Sequence, residues 1–423
     1  MFRRPITLAI CCAAAGIPGR AQDTTLTRLL VANRHPLSVV DGKLAGPGGR
    51  HLVAKSAGAR FVMLGEEHGV AEAAAAMGAL LDELRPAGFH TLAIEVSPLR
   101  GSELDRMARS ARSNAALSAA LDSSLADWRT TVPFYVLGEE RAMLRDAMSR
   151  RGGSGPMRIW GLDYEVGADR QYLAELERLA PGPAVRAARE HAEQGFARLI
   201  NAGDPSQLFA FAAPVATFEA IRKELGPRTP ARAREIIDLL ERTAAINRLF
   251  LAGRGYESNL ERSRFLRENF SRAWKARVQG GEDKVVFKFG GSHMMRGMNY
   301  TNTLDLGTAA SLLAEELGGY SYHVLMMGGK GSTSSRMNIV KAQYEPNGAA
   351  EVDGRMLAWL RPAIPDTGWV LFDIQAARLA YLQGRTRSEL PATQDRFLQA
   401  YDAIVIFGGS HAGTVRPLRA SIP

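Results

Sequence analysis

The sequence predicts an α/β fold with a largely parallel or mixed central sheet flanked by helices. Short apolar runs rich in β-branched residues recur along the chain, and amphipathic helical patterns separate most of them. Several of these runs stop at glycines or acids, as buried strands do at the carboxyl edge of an α/β sheet. The 423 residues are 46% hydrophobic and 23% charged, which is a globular composition.

Seven strands are predicted from these apolar runs. They lie at residues 61–64, 91–94, 158–162, 285–289, 320–325, 370–372 and 403–407. The alanine- and leucine-rich stretch 69–85 ends before Pro86 and predicts a helix directly after the first strand.

The N-terminus has the pattern of a secretory signal. Arg3 and Arg4 precede the apolar run 6–17, and small residues at 19–21 match the positions that a signal peptidase reads. We therefore expect residues 1–21 to be removed on export and the mature protein to be periplasmic.

Both cysteines, Cys11 and Cys12, lie inside this predicted signal, so the mature chain would have no thiol for catalysis, disulfides or metal binding. A lipid anchor on a cysteine is the alternative, but Ile10 is larger than the residue that normally precedes a lipidated cysteine. No later stretch approaches the ~20 apolar residues that span a bilayer. The formal net charge of +9 is spread along helices without a nucleic-acid motif, so we expect no nucleic-acid partner.

Residues 169–280 differ from both flanks because they contain amphipathic helical patterns and no convincing strand. The predicted organisation is an α/β core in two parts, residues 22–168 and 281–423, separated by a helical insertion at 169–280. Such an insertion could form a cap over a substrate cleft. Residues 328–335 carry glycines around Lys330 but lack the spacing of a phosphate-binding loop, so we expect a mobile surface loop there.

His68 is the first candidate for chemistry because it follows a predicted strand in the sequence Gly65-Glu66-Glu67-His68. An imidazole beside a carboxylate can be held in one tautomer and made more basic, as a water-activating base requires. The alternative is a group of acids at a helix start with His68 as a solvated neighbour.

Further candidates follow other predicted strands. Glu95 and Asp163 each end an apolar run, where a carboxylate is costly to bury unless it is paired or used. His293 and His411 close two copies of the sequence Phe-Gly-Gly-Ser-His, in which paired glycines permit close approach of the backbone. Structural ion pairs and local turn packing are the alternatives to a role in the site.

Together these motifs resemble the erythromycin esterase-like group and its relatives, the ChaN haem-uptake and Tiki (TraB) proteins. The resemblance spans most of residues 60–325. It is carried by Leu-Gly-Glu-Glu-His-Gly at 64–69, Ala-Ile-Glu at 93–95, Gly-Leu-Asp at 161–163, the strand that leads to His293, and Leu-Gly at 306–307.

The resemblance implies an exported hydrolase in which His68 activates water to attack an ester or amide of a small molecule or peptide. By resemblance, Glu66, Glu95 and His293 assist it, with Glu67, Asp163 and His411 as possible further members. The chain departs from the esterase branch in two places. One residue rather than two separates glutamate and histidine in the first motif, and Gly290 stands where the later motif has its first histidine.

The resemblance to the ChaN and Tiki proteins leaves two alternative functions. The first is a ChaN-type uptake protein that binds haem or iron, and the second is a Tiki-like metallopeptidase. A metal here would use imidazole and carboxylate ligands, which suits zinc or manganese. Its candidate ligands are His68, Glu66, Glu95, His293 and His411.

Overall fold

The computed structural model describes most of the chain. The described residues are 24–125, 134–151, 153–165, 167–277, 284–338, 343–347, 355–386 and 390–415. The predicted signal peptide, residues 1–21, lies outside them, so its removal stays a prediction.

A nine-stranded sheet forms the centre of the fold, in the order β2-β1-β10-β11-β7-β3-β6-β4-β5, and a separate pair joins β8 to β9. The strands are β1 Arg34–Val40, β2 Lys43–Ala45, β3 Phe61–Glu66, β4 Thr91–Ile94, β5 Arg158–Gly161, β6 Val285–Gly290, β7 Ser321–Gly328, β8 Ser334–Asn338, β9 Gln343–Asn347, β10 Gly368–Asp373 and β11 Ala403–Gly408. All seven predicted strands are present in this sheet.

Helices flank the sheet. They are α1 Thr24–Ala32, α2 Gly46–Gly58, α3 Ala71–Leu84, α4 Pro98–Ser110, α5 Asn114–Ser124, α6 Gly138–Met148, α7 Asp169–Leu179, α8 Pro183–Ala202, α9 Phe209–Ala212, α10 Val215–Glu224, α11 Ala231–Leu251, α12 Gly255–Ala276, α13 Leu306–Glu316, α14 Gln375–Leu382 and α15 Ala392–Ala400. The helix predicted after the first strand is α3.

The sheet is mixed. The run β11-β7-β3-β6-β4-β5 is parallel throughout. Strands β10, β1 and β2 extend it with antiparallel pairing. The α/β class with a central mixed sheet is therefore confirmed.

The central strands are buried on both faces, which explains their continuous apolar sequences. In β3, Val62 and Leu64 pack into one hydrophobic core, while Phe61 and Met63 pack into the other. The Phe61 ring makes edge contacts with Phe270 and Trp274 of α12, at centroid distances of 5.9 and 5.3 Å. Strand β3 is thus fixed between two layers.

The structure corrects the extent of the surface loop predicted at residues 328–335. Lys330 and Gly331 are exposed, but β7 ends at Gly328 and β8 begins at Ser334. Ser332, Ser334 and Ser335 are buried. The Ser335 hydroxyl donates to the Gly413 carbonyl and the Ser332 hydroxyl donates to the Phe407 carbonyl, so these serines join the loop to neighbouring backbone. Hydrogen bonds to the main chain let polar side chains enter the interior.

Helices α7 to α12 account for the regular structure described between β5 and β6, and they enclose a hydrophobic core of their own that includes Tyr172, Phe209 and Ile236. The domain boundaries at 168 and 280 and the role of this helical segment as a cap stay predictions. In the described part of the chain, no helix combines the length and apolar character needed to cross a membrane.

Candidate functional site

Three adjacent parallel strands, β3, β6 and β4, bring the main candidates to one edge of the sheet. Glu66 is the last residue of β3, Glu95 directly follows β4, and His293 lies in the turn after β6. Because parallel strands end at the same edge, residues far apart in sequence meet there. His68 follows β3 by two residues and reaches the same place.

His68 is held by two contacts. Its Nδ1 lies 2.9 Å from Glu66 Oε1, and its ring stacks on Phe134 at a centroid distance of 4.0 Å. An ionised carboxylate can only accept, so Nδ1 carries the proton, and in the neutral ring Nε2 has the free lone pair. The side chain of His68 remains 32% exposed, which leaves it reachable by water.

Phe134 adopts a left-handed backbone conformation, with φ of 69°. This region is uncommon for residues other than glycine and is strained for a bulky side chain. The Phe134 amide donates to the Tyr344 hydroxyl at 2.9 Å, which helps to keep the ring against His68.

Glu95 lies between the two histidines of the site. Its Oε2 is 3.6 Å from His68 Nε2, and its Oε1 is 3.6 Å from His293 Nε2. The Gly290 amide donates to Oε2 at 2.6 Å, and Arg262 donates to Oε1 at 2.8 Å. Glu95 therefore links four groups of the site by hydrogen bonds or charge.

His293 forms a buried pair with Asp305, the residue that caps α13. The Nδ1 atom of His293 lies 2.9 Å from Asp305 Oδ2. The hydroxyl of Ser263 donates to the same oxygen at 2.9 Å. Nδ1 is thus committed to Asp305, which directs Nε2 of His293 towards Glu95.

The charges of the site shift the proton affinities of its members. Burial lowers the pKa of His68, but the charges of Glu95 and Glu66 outweigh it and leave that pKa above its ordinary value. The pKa of His293 is also raised, since Asp305 outweighs the effect of burial. Burial raises the pKa of Glu95, but His68 and the neighbouring cations bring it down to about 2. Glu95 is therefore an anion at any working pH.

A lysine enters the site from within β6. Lys288 is 3% exposed, and its Nζ lies 2.6 Å from Glu66 Oε1 and 2.9 Å from Glu140 Oε2 of α6. The pKa of Glu66 is lowered because the charge of Lys288 outweighs its burial. Burial and the charge of Glu66 raise the pKa of Glu140 to about 7.

Asp163 joins the site through Arg262 of α12, which forms hydrogen bonds with both Asp163 and Glu95. The two other possible members lie elsewhere. Glu67 is buried and accepts from the Gly328 amide at 3.1 Å. The His411 side chain is 82% exposed and pairs with Glu72 of α3 at 2.7 Å. The structure therefore brings Asp163 to the main candidates and places Glu67 and His411 with other partners.

Sequence reasoning missed several residues of the site, namely Lys288, Glu140, Arg262, Asp305 and Phe134. The sequence does indicate Lys288 as unusual, because it is a lone lysine inside the apolar strand Val285–Gly290. Arg262 and Glu140 lie on helices among many other charges, and no local pattern distinguishes them.

The candidate metal ligands do not form a metal site among the described residues. Among them, no group of three or more histidines, cysteines, aspartates or glutamates could hold a metal ion. Glu66 and Glu95 instead accept from Lys288 and Arg262, and His293 is committed to Asp305.

Comparisons with known proteins agree with this architecture at the level of the fold. No protein-family model and no curated protein matches the chain. Among the solved structures that match, three do so over nearly their full length. A histidine-to-asparagine variant of erythromycin esterase EreC, in its open conformation, has a TM-score of 0.56 and 16% identity, over 93% of this chain and 98% of that chain.

The second structure is a Bacillus cereus protein with a TM-score of 0.54 and 14% identity, which covers 93% of this chain and 98% of its own. The third is a succinoglycan biosynthesis protein with a TM-score of 0.54 and 13% identity, over 94% and 100% of the two chains. These likenesses concern the fold, and the chain shares the fold of erythromycin esterase EreC and of the two other solved structures.

Proposed function

We propose that this protein is a hydrolase in which His68 activates water for attack on the carbonyl carbon of an ester or amide. The observation that carries the proposal is the arrangement of the His68 ring. Nδ1 is occupied by Glu66 at 2.9 Å, while Nε2 faces Glu95 in a site that water can reach. This is the geometry required of a general base with one defined tautomer.

The proposed hydrolysis needs only water, the substrate and His68 as the group that carries the proton. His68 Nε2 takes a proton from water as its oxygen bonds to the carbonyl carbon. The tetrahedral intermediate then collapses, and His68 returns the proton to the leaving alcohol or amine. Glu66 orients the ring throughout, and the negative charge of Glu95 stabilises the imidazolium that forms.

His293 is the proposed electrophile. Its pKa is raised, and Nδ1 is committed to Asp305, so the protonated ring can donate from Nε2. Nε2 lies 3.6 Å from Glu95 Oε1, which is too far for a hydrogen bond with that carboxylate. A donor at that position stabilises the oxyanion that develops on the carbonyl oxygen. No step uses a metal ion.

The substrate class proposed is a small-molecule or peptide ester or amide met after export to the periplasm. The fold likeness to an erythromycin esterase supports hydrolysis in general. Macrolides are not named as the substrate, because the spacing of the first motif and Gly290 both depart from that branch.

The test is a panel of chromogenic esters and amides assayed with wild type and His68→Gln. We expect His68→Gln to lower kcat by on the order of 100-fold or more with an unchanged melting temperature, since a base at an accessible turn contributes little packing. His90→Gln is the matched control, because His90 is an exposed histidine that precedes β4.

Equal turnover by wild type and a folded His68→Gln would remove His68 as the base. A haem titration run beside the panel tests the uptake alternative. Absence of turnover together with a tight complex that shifts the Soret band would favour the uptake protein over the hydrolase.

A further inference from the structure

Lys288 lies in a place where a lysine is costly. Its neighbours in β6 are apolar, the strand is buried along its whole length, and the side chain is 3% exposed. A buried ammonium is retained only where it is paired and hydrogen-bonded. The pairing partners of Lys288 come from two other elements, Glu66 of β3 and Glu140 of α6.

The atom that Lys288 contacts gives it a connection to His68. Its Nζ donates to Glu66 Oε1 at 2.6 Å, and His68 Nδ1 meets that same oxygen at 2.9 Å. The second oxygen of Glu66 is buried and has no hydrogen-bond partner among the described residues. One oxygen of Glu66 therefore receives both hydrogen bonds, and a rotation of this carboxylate would disturb both contacts.

Glu140 holds the other side of the ammonium. Its Oε2 is 2.9 Å from Lys288 Nζ, and its side chain is 3% exposed. The ring of Tyr135 also faces the ammonium, at 5.6 Å. One cation thus lies between two buried carboxylates, of which only Glu66 touches His68.

We propose that Lys288, held in place by Glu140, is the positioning residue that fixes the Glu66 carboxylate and thereby the tautomer and orientation of His68. The inference depends on the proposed function only in its kinetic consequence, because the tautomer of His68 can be measured without a substrate. Lys288 itself touches no reacting atom. It acts through Glu66.

The experiment compares Lys288→Met with Lys284→Met by NMR of protein labelled with ¹⁵N in its histidine rings. Lys284 is a suitable control because it directly precedes the same strand and donates to the Ala57 carbonyl, away from Glu66. In wild type and Lys284→Met, at a pH above the raised pKa of His68 where the ring is neutral, we expect the His68 signals of the tautomer protonated at Nδ1. In Lys288→Met we expect a mixture of the two tautomers.

Once a substrate is known, Lys288→Met should lower kcat by about 10- to 100-fold with little change in KM, which is the size of effect typical of a partner outside the direct contacts. A folded Lys288→Met with the wild-type His68 tautomer would overturn the inference. The proposed hydrolase would fail separately, by showing no turnover in wild type.

Glu140→Gln keeps the inference testable if Lys288→Met does not fold. The amide keeps the shape of the side chain and removes its charge, so Lys288 loses one of its two ionic partners. We expect a smaller but measurable loss of the Nδ1-protonated tautomer. A spectrum of Glu140→Gln identical to that of wild type would then reject the role of the pair.

Discussion

Gly290 lies so close to His68 that no side chain fits between them. A Cβ at position 290 would be 2.7 Å from His68 Nε2 and 3.5 Å from Glu95 Oε2. The esterase branch has a histidine at this position, and here the ring of His68 already occupies the space. The two departures from the motif, the shortened spacing before His68 and the glycine at 290, are therefore sterically consistent with each other.

Gly290→Ala should reduce activity without unfolding the protein. The added methyl must displace the His68 ring, which Glu66 and Phe134 hold, and a displacement of about 1 Å at a catalytic group costs on the order of 100-fold in rate. Turnover and melting temperature should be measured together. Gly155→Ala is the control, because a Cβ there meets no atom within 4 Å. Unchanged turnover in Gly290→Ala would mean that the ring has room to move.

The pH dependence of kcat/KM should reflect the raised pKa of His68. His68 acts as the base only when Nε2 is unprotonated, so activity should rise with pH through a midpoint above the ordinary 6.5. Activity should fall again at higher pH, where His293 loses the proton that it donates to the oxyanion. Glu95→Gln removes a charge that raises the pKa of both histidines, so the whole profile should move to lower pH. A profile that stays in place would show that Glu95 does not act on the histidines through its charge.

The pair of His293 and Asp305 should stabilise the fold in a definite pH window. The pKa of His293 is raised on folding, so its contribution is complete below about 6.5 and is lost as pH rises through the higher folded value. The pKa of Asp305 is lowered, so its contribution is lost only as pH falls below its ordinary range. Between these limits, Asp305→Asn should lower the free energy of unfolding by about 1.5–3 kcal/mol, the range for a hydrogen bond to a charged group.

Urea unfolding of wild type and Asp305→Asn from pH 5 to pH 9 measures this window. The difference between the two proteins should shrink towards pH 9. A difference that is constant over the whole series would indicate that His293 stays neutral and that the pair is an ordinary hydrogen bond.

Export should remove the N-terminal segment. Residues 1–21 have the basic start, the apolar run and the small residues of a complete signal, so the mature protein should begin at or near Gln22. N-terminal sequencing of protein from the exported fraction gives the answer directly. An intact Met1 in that fraction would contradict the prediction.

Strands that are buried along their whole length are the easiest to predict from sequence patterns, although the partly buried β5 and β10 were predicted as well. Strand β3 and strand β6 are buried at every residue, so their apolar runs are continuous and easily read. Strand β1 was missed because it contains Pro36 and is only partly buried. Strand β8 was missed because its buried serines have the composition of a loop, and only the distant carbonyl of Gly413 shows why Ser335 can be buried.

The residues of the site also differ in whether a sequence pattern can predict them. Glu66, Glu95 and His293 could be predicted because each lies at the end of a strand or just after it, and parallel strands end at one edge of the sheet. Arg262 could not be predicted, since it lies 99 residues from Asp163 and 167 from Glu95 in sequence, on a helix rich in exposed charges. Only the packing of α12 on the sheet identifies it.

The ion pairs of Arg262 join the helical segment to the acidic edge of the sheet. Arg262 lies on α12 and supplies the cation for Asp163, whose side chain is 3% exposed at the end of the sheet. Replacing Arg262 alone would leave Asp163 and Glu95 buried without this counter-ion, at a cost of about 3–5 kcal/mol. A minimal version of this protein would therefore have to keep α12 with the sheet, because both carboxylates take a cation from that helix.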